Sequence, residues 1–232
     1  MKFIKVKSRN LSAAVAEAVA VLRRGGIIAH PTDTVWGLAC DAGNPKAIQK
    51  LHALKKSDPT KPLLLNLPSK SYLDKIASKL CKAHKLTKEF WPGALSLLVL
   101  AKNKSPCSLR SPPPLPSLRP SSFGGLSRKG DYSVATRLLG VRLPDHELSA
   151  ALARKFGKPL TTTSANLSGK AVAKNGKEVA KIFPKIDLIL DDGSVSKNNP
   201  STLVDVSGAE VKLIREGSIP FKEILRKLSS HS

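Results

Sequence analysis

Three short segments of the chain combine hydroxyl, carboxyl and lysine side chains with glycine or proline. The first is residues 31–38, PTDTVWGL, which directly follow an apolar run that predicts a buried strand. Ligands of α/β sheets bind at loops that follow strands. Taken alone, this segment is consistent with a polar ligand pocket and also with an ordinary polar turn.

The other two segments could bind phosphate. Residues 161–169, TTTSANLSG, contain small and hydroxyl side chains that allow backbone amides to approach a phosphate closely, although the same residues are common in caps and turns. Residues 55–62, KKSDPTKP, lie between a predicted helix and a predicted strand. Their lysines either balance the negative end of the helix dipole or bind a triphosphate.

Several well-known site patterns are absent from the sequence. It contains no GxxxxGK[ST] loop, no GxGxxG after a strand, no GxSxG and no HExxH, so ATP binding would require an unusual site. The three cysteines, Cys40, Cys81 and Cys107, form no CxxC pair, which argues against a zinc site. Their odd number, without a secretory signal, predicts a cytoplasmic protein. No apolar run reaches the length of a membrane span, so no membrane association is expected.

The charge of the chain indicates a polyanionic partner. Lys and Arg number 39 against 17 Asp and Glu, which gives a net charge of +22. Nucleotides, nucleic acids and acidic membranes all attract such a surface, and the charge does not choose among them. A generally basic surface without a specific partner is the alternative.

The pattern of apolar residues predicts a single α/β domain with a twisted mixed sheet flanked by helices. Residues 102–130 interrupt this pattern with a Pro/Ser-rich stretch that carries six positive charges and no acid. Such a stretch buries little apolar surface, so we predict a flexible insertion in a domain of residues 10–228. The predicted helices lie at 12–24, 45–54, 69–80, 147–156, 177–183 and 221–228. The predicted strands lie at 27–30, 63–67, 95–100, 138–142, 160–163, 186–190, 202–206 and 211–214.

The three segments, in this order and spacing, resemble the YrdC family of threonylcarbamoyl-AMP synthases. The stretches FWPGALSLLV, LGVRLPDH, NPSTLVD and LIREGSI extend the resemblance over roughly residues 10–228, outside the insertion. No second domain follows, so the chain is similar to the short, single-domain members.

The resemblance implies a nucleotidyltransferase. L-threonine, bicarbonate (or CO2) and ATP with Mg²⁺ would give threonylcarbamoyl-AMP and pyrophosphate. A downstream transferase would then use the product for N6-threonylcarbamoyladenosine in tRNA. This chemistry needs alignment of reactants and neutralisation of phosphate charge rather than a protein nucleophile, and no catalytic side chain is expected.

The resemblance also implies roles for individual residues. The residues expected to bind L-threonine are Thr32, Thr34, Thr162 and Ser201. The residues expected to bind ATP are Lys55, Lys61, Arg142, Ser164, Asn166 and Arg215. No residue is expected to bind a metal directly.

The sequence departs from the family pattern at three places. Trp36 stands where the family usually has Tyr, and Ser57 stands where it usually has Arg. A Thr-Ala-Gly loop that the family has before the GVR strand is replaced here by the insertion and residues 131–137. Two alternatives stay open: a non-catalytic protein on the same fold that binds tRNA or double-stranded RNA, and an ATP-independent relative that handles carbamoyl groups.

Overall fold

The computed structural model describes residues 1–102, 138–194 and 199–230. The helices of this part of the chain are α1 (Leu11–Arg23), α2 (Pro45–Lys55), α3 (Tyr72–Ile76), α4 (Cys81–Phe90), α5 (Glu147–Phe156), α6 (Gly176–Ile182) and α7 (Phe221–Ser229). Its strands are β1 (Lys2–Lys5), β2 (Ile28–His30), β3 (Gly37–Asp41), β4 (Leu64–Asn66), β5 (Ala77–Ser78), β6 (Leu95–Ala101), β7 (Leu138–Arg142), β8 (Leu160–Ser164), β9 (Leu188–Asp191), β10 (Thr202–Asp205) and β11 (Lys212–Arg215).

All of these strands form one mixed sheet. Their order is β1-β9-β2-β3-β8-β4-β7-β6-β10-β11, and β5 pairs with β6 at the side. The sheet contains parallel pairs, such as β4 with β7 and β6 with β10, and antiparallel pairs, such as β3 with β8 and β6 with β7. The predicted α/β architecture with a mixed sheet flanked by helices is therefore confirmed.

The half of the sheet formed by β1, β9, β2, β3 and β8 is covered on both faces. Because side chains alternate along a strand, Ile28 of β2 packs toward α1 and α5, while its neighbour Ala29 packs toward α2 and α6. Leu188 and Ile189 of β9 divide in the same way. This half of the sheet therefore contributes to two apolar clusters, one on each face.

The half formed by β4, β7, β6 and β10 differs because only one face joins an apolar cluster. Leu97, Val141 and Val204 point toward α3, α4 and α7 and belong to that cluster. The alternate residues, such as Leu98 and Arg142, point to the opposite face and line a cavity. The alternation of side chains along these strands thus gives the sheet two faces. The core face carries residues such as Leu97 and Val141, and the site face carries residues such as Leu98 and Arg142.

Several elements differ from the sequence-based expectations. The helix predicted for residues 69–80 ends at Ile76, because the chain then forms β5 against β6 before α4 begins. β1, β3 and α4 were not predicted.

The proposed insertion, apart from residue 102, and residues 131–137 lie outside the described residues. Within the described part of the chain, no helix has the length and apolar character needed to cross a membrane.

Candidate active site

A cavity of about 730 Å³ lies on the site face of the sheet. Volumes of this size are typical of small-molecule sites. Seven of the ten residues predicted from the sequence line it, namely Thr32, Thr34, Arg142, Thr162, Ser164, Ser201 and Arg215. They come from segments far apart in the sequence, and the order of the strands in the sheet brings them together.

The loop between β2 and β3 is organised by the hydroxyl group of Thr32. Its Oγ1 accepts hydrogen bonds from the backbone N–H groups of Thr34 and Val35, both at 3.2 Å, and donates to the Val35 carbonyl at 2.7 Å. A hydroxyl group has one proton and two acceptor positions. The Thr32 hydroxyl is therefore engaged in shaping the loop, which presents Thr34 to the cavity.

Arg142, on β7, is tied to the same loop by a buried ion pair. Its Nη2 lies 2.6 Å from Asp33 Oδ1, and the two side chains are only 7% and 13% exposed. Its Nη1 donates to Thr34 Oγ1 at 2.8 Å and its Nε to the Gly93 carbonyl at 3.0 Å. Burial lowers the pKa of the Arg142 guanidinium, the Asp33 carboxylate opposes that shift, and the charge of Arg215 adds to it.

Arg215, on β11, lines the same cavity with a different set of partners. Its Nη2 donates to the Ser201 carbonyl at 2.9 Å and to Ser201 Oγ at 3.4 Å. Among the residues that the structure describes, no carboxylate forms an ion pair with it. Partial burial of the guanidinium lowers the pKa of Arg215 as well, although the residue as a whole is exposed. Two guanidinium groups near a single carboxylate make this cavity favourable for an anion.

Lys55 lies beside the cavity rather than in its lining. Asn44 caps the start of α2 by accepting from the backbone of Lys46 and Ala47, and Lys55 is the last residue of that helix. Its side chain is buried, and Nζ donates to the Ser164 carbonyl and, at 3.3 Å, to Asn166 Oδ1. Burial lowers the pKa of Lys55 to about 8. Because Ser164 lines the cavity, Lys55 is separated from the cavity only by Ser164.

Asn166 completes this second cluster behind Ser164. Its Oδ1 also accepts from Ser164 Oγ at 2.6 Å, and its Nδ2 donates to the Lys170 carbonyl at 2.7 Å. The side chain is thus oriented from two sides. Lys55, Ser164 and Asn166 were each predicted to bind ATP, and they contact one another here, although Asn166 is not part of the cavity lining.

The structure does not bring Lys61 into the cavity. Its residue is exposed, and its backbone N–H donates to the Asp58 carbonyl in the turn before β4. Pro62, the next residue, does line the cavity. Ser57, at the position where the resembling family has Arg, lies 3.0 Å through Oγ from His52 Nδ1. The ATP-binding role of Lys61 stays a prediction.

Two residues of the site were missed by the sequence reasoning. Asp33 belongs to the segment of residues 31–38, but nothing in the sequence predicts its pairing with Arg142, 109 residues away. Asn66 lies at the end of β4, lines the cavity and is 3% exposed, and its Oδ1 has no hydrogen-bond partner in the structure. A buried polar atom without a partner is costly and rare. The sequence signal for this residue is an asparagine within the apolar run LLLNL, since a polar side chain in a buried strand often has a function.

The described residues contain no group of three or more His, Cys, Asp or Glu side chains arranged to hold a metal ion. Asp33 is the carboxylate that contacts a residue of the cavity lining, and it is paired with Arg142. The two guanidinium groups of the cavity lining, Arg142 and Arg215, suit an anionic ligand.

Comparison with curated proteins finds threonylcarbamoyl-AMP synthases among the relatives of this chain. A threonylcarbamoyl-AMP synthase of Bacillus subtilis is 32% identical over 212 residues, which cover 90% of this chain and 55% of the relative. A threonylcarbamoyl-AMP synthase of Chromohalobacter salexigens is 33% identical over 197 residues, which cover 84% of this chain and 94% of the relative. The chain thus spans about half of the first relative and nearly all of the second.

Solved structures give the same fold. Pyrococcus abyssi Sua5 complexed with L-threonine superposes with a TM-score of 0.77 at 25% identity, covering 97% of this chain and 59% of that one. Escherichia coli YciO superposes with a TM-score of 0.75 at 21% identity, covering 96% of this chain and 97% of that one, and at this identity the likeness shows the fold alone.

The family model that matches the sequence is Sua5/YciO/YrdC, which carries the description "telomere recombination". The match extends over residues 20–217, which include every residue lining the cavity. The resemblance noted from the sequence motifs is confirmed by this match and by the curated relatives. The chain belongs to the Sua5/YciO/YrdC family.

Proposed function

We propose that the chain is an L-threonylcarbamoyladenylate synthase. It would convert L-threonine, bicarbonate or CO2, and ATP into threonylcarbamoyl-AMP and pyrophosphate, for N6-threonylcarbamoyladenosine modification of tRNA. The observation that carries the proposal is the cavity in which the motif residues of a threonylcarbamoyl-AMP synthase family meet around two guanidinium groups. The names of the curated relatives and the L-threonine bound to Pyrococcus Sua5 support it.

The reaction has two bond-forming steps. The threonine amine forms a C–N bond with CO2 and loses a proton, which gives a carbamate. A carbamate oxygen then forms a P–O bond with the α-phosphorus of ATP, while the bond from that phosphorus to the bridging oxygen breaks and pyrophosphate leaves. Neither step uses a side chain as nucleophile. The protein contributes by aligning three reactants and by stabilising the charge on the phosphates.

The phosphates would bind at the Arg215 side of the cavity. Arg215 has a guanidinium without a carboxylate partner among the described residues, so it can form charge-assisted hydrogen bonds with phosphate oxygens. Ser164 faces the cavity with Lys55 and Asn166 directly behind it. Lys55 thus adds a second positive charge behind the cavity wall at Ser164, and a triphosphate needs more than one such charge.

L-threonine would bind between the loop of residues 31–36 and the start of β10. Thr34, Thr162 and Ser201 offer hydroxyl groups to this region, and Thr32 holds the loop in shape. Asn66 adds a buried carbonyl oxygen that can accept a hydrogen bond from the substrate. Such fixed polar groups in a mostly apolar cavity would orient a small zwitterion.

Mg²⁺ would enter with ATP as part of that substrate. The cation binds oxygen ligands and keeps several waters, so phosphate oxygens and water suffice for it. The chain's part is then to bind the phosphates of the MgATP complex through Arg215, while the charge of Lys55 acts from behind Ser164.

The alternative of a non-catalytic protein that binds tRNA or double-stranded RNA is not favoured, because the curated relatives carry the name of a synthase. Passage of the product to a downstream threonylcarbamoyl transferase is part of the proposal. The cytoplasmic location expected from the cysteine count stays a prediction.

The product can be identified directly by isotope labelling. The chain is incubated with MgATP, ¹⁵N-labelled L-threonine and ¹³C-labelled bicarbonate, and the mixture is examined promptly by NMR and mass spectrometry. We expect an AMP adduct of threonylcarbamate whose ¹³C and ¹⁵N nuclei are coupled through one bond. Omission of bicarbonate in CO2-depleted buffer is the control. Threonyl-adenylate, or no labelled adduct at all, would contradict the proposal.

A further inference from the structure

Ser96, on β6, is a hydroxyl-bearing residue on the site face of the sheet that does not itself reach the cavity. Its neighbours Leu95 and Leu97 point to the opposite apolar cluster, and Leu98, on the same face as Ser96, lines the cavity. Ser96 pairs with Arg142 of β7 and with Leu203 of β10 across the sheet. Its residue is 0% exposed. It therefore lies beneath the floor of the site.

The Ser96 hydroxyl is directed at Ser201. The two Oγ atoms are 2.8 Å apart, and no other hydrogen-bond partner of Ser96 Oγ exists in residues 1–102, 138–194 and 199–230. A buried hydroxyl that leaves its proton without an acceptor is destabilising. Ser96 must therefore donate its proton to Ser201 Oγ.

The direction of this bond determines what Ser201 can do. Ser201 Oγ accepts from Ser96 and also from Arg215 Nη2 at 3.4 Å, so both of its acceptor positions are taken. The remaining capacity of Ser201 is its own proton. Since Ser201 lines the cavity, that proton is available to an oxygen atom of a ligand.

We infer that Ser96 is a positioning residue, which fixes the Ser201 hydroxyl as a hydrogen-bond donor to an oxygen atom of the amino-acid substrate. The inference rests on the proposed function for the identity of that substrate. A carboxylate or hydroxyl oxygen of L-threonine can accept this bond, whereas its ammonium group cannot. Ser96 thereby selects the chemical group of the substrate that faces β10, without touching it.

The test is a double-mutant cycle read out by calorimetric titration with L-threonine. In S96A the Ser201 hydroxyl loses its fixed orientation, and we expect the Kd for L-threonine to rise about 3- to 10-fold, as for loss of one hydrogen bond. S201A is expected to weaken binding by at least as much. Because Ser96 acts through Ser201, the double variant S96A/S201A should bind L-threonine within about twofold of S201A alone.

Three controls separate positioning from damage to the fold. S96C keeps the size of the side chain and a weak donor, so its Kd should lie between those of wild type and S96A. T87V removes a buried hydroxyl that donates to the His84 carbonyl in α4, away from the cavity, and should leave the Kd unchanged. The Kd for ATP should stay within about twofold of wild type in S96A, whereas general damage would change both values.

Two results would overturn the inference while leaving the proposed function intact. One is wild-type affinity for L-threonine in S96A. The other is an S96A effect that is undiminished in the S201A background, since independent effects add. A wild-type chain that binds no L-threonine would instead contradict the proposed function, and the inference with it.

Discussion

Arg142 and Arg215 line the same cavity, but the protein balances their charges in opposite ways. Arg142 is surrounded by protein acceptors, of which Asp33 carries a full negative charge. Arg215 contacts the carbonyl and hydroxyl oxygens of Ser201, and no carboxylate among the described residues pairs with it. The two arginine side chains thus line one cavity in different electrostatic environments.

This difference indicates a division of labour. The charge of Arg142 is compensated inside the protein, so its largest contribution is to hold the loop of residues 31–36 against β7. The charge of Arg215 is uncompensated, so it can be neutralised by an anionic ligand. The sequence-based prediction assigned both arginines to ATP, and we propose that role for Arg215 because it has no carboxylate partner among the described residues.

The largest expected effect concerns the stability of the Arg142 side. In R142M the buried Asp33 loses its partner, and we expect the free energy of unfolding to fall by about 3–5 kcal/mol. In R215M no buried carboxylate is left unpaired, and we expect a loss of about 1 kcal/mol or less. Urea unfolding measures both. The double variant D33N/R142M should recover part of the loss, and equal losses in R142M and R215M would contradict the comparison.

The next effect concerns ATP binding at the Arg215 side. We expect R215M to weaken ATP binding by about 10- to 100-fold, because a hydrogen-bonded charge of about 1.5–3 kcal/mol is lost. R215K keeps the charge but loses the planar fork, so its affinity should lie between the two. Calorimetry with a non-hydrolysable ATP analogue measures the Kd. An unchanged Kd in R215M would place the phosphates elsewhere.

The pH dependence of ATP binding tests the position of Lys55. Its pKa is lowered to about 8 by burial, so the free chain loses this positive charge as the pH rises through 8. Phosphate favours the charged form and raises the pKa in the complex. Above pH 8, binding must then take up a proton, and the Kd for ATP should rise by up to about tenfold per pH unit.

Arginine substitutions provide the controls for this pH dependence. K55R keeps its charge at every pH tested and should flatten the profile. K50R changes an exposed lysine of the same helix and should leave the profile as in wild type. A wild-type Kd that does not change between pH 7 and 9 would show that Lys55 does not sense the phosphates.

The smallest effect concerns Ser57, which stands where the family usually has Arg. Ser57 is partly exposed and its hydroxyl contacts His52, so a new guanidinium there would be partly screened by solvent. We expect S57R to lower the Kd for ATP by about two- to fivefold, corresponding to an exposed charge pair of at most about 1 kcal/mol. S57A should have no measurable effect. Weaker ATP binding in S57R would mean that this segment lies away from the phosphates.

The sequence predicted the parts of the fold in which local signals agree. Gly157 ends α5 in a left-handed conformation, and the apolar run at residues 95–100 forms β6, as expected. β3 was missed because Gly37, Ala39 and Asp41 have low strand propensity and are held by pairing with β2 and β8. Its strand character comes from tertiary contacts rather than from the sequence pattern.

The same limit applies to the site. Motif resemblance identified seven residues that line the cavity, because each motif is contiguous in the sequence. The pairing of Asp33 with Arg142 and of Ser96 with Ser201 depends on which strands are neighbours. Neither pairing has a local sequence signal. The roles of such residues become visible only when the sheet order is known.

The central claim is that this cavity joins L-threonine, CO2 and ATP, and pyrophosphate release tests it most directly. Pyrophosphate is measured with purified chain and MgATP, with L-threonine or bicarbonate omitted in turn. We predict that pyrophosphate release requires both L-threonine and bicarbonate. We also predict that R215M strongly reduces the rate of release when ATP is below saturation. Release without L-threonine, or no release by a folded chain that still binds ATP, would contradict the account.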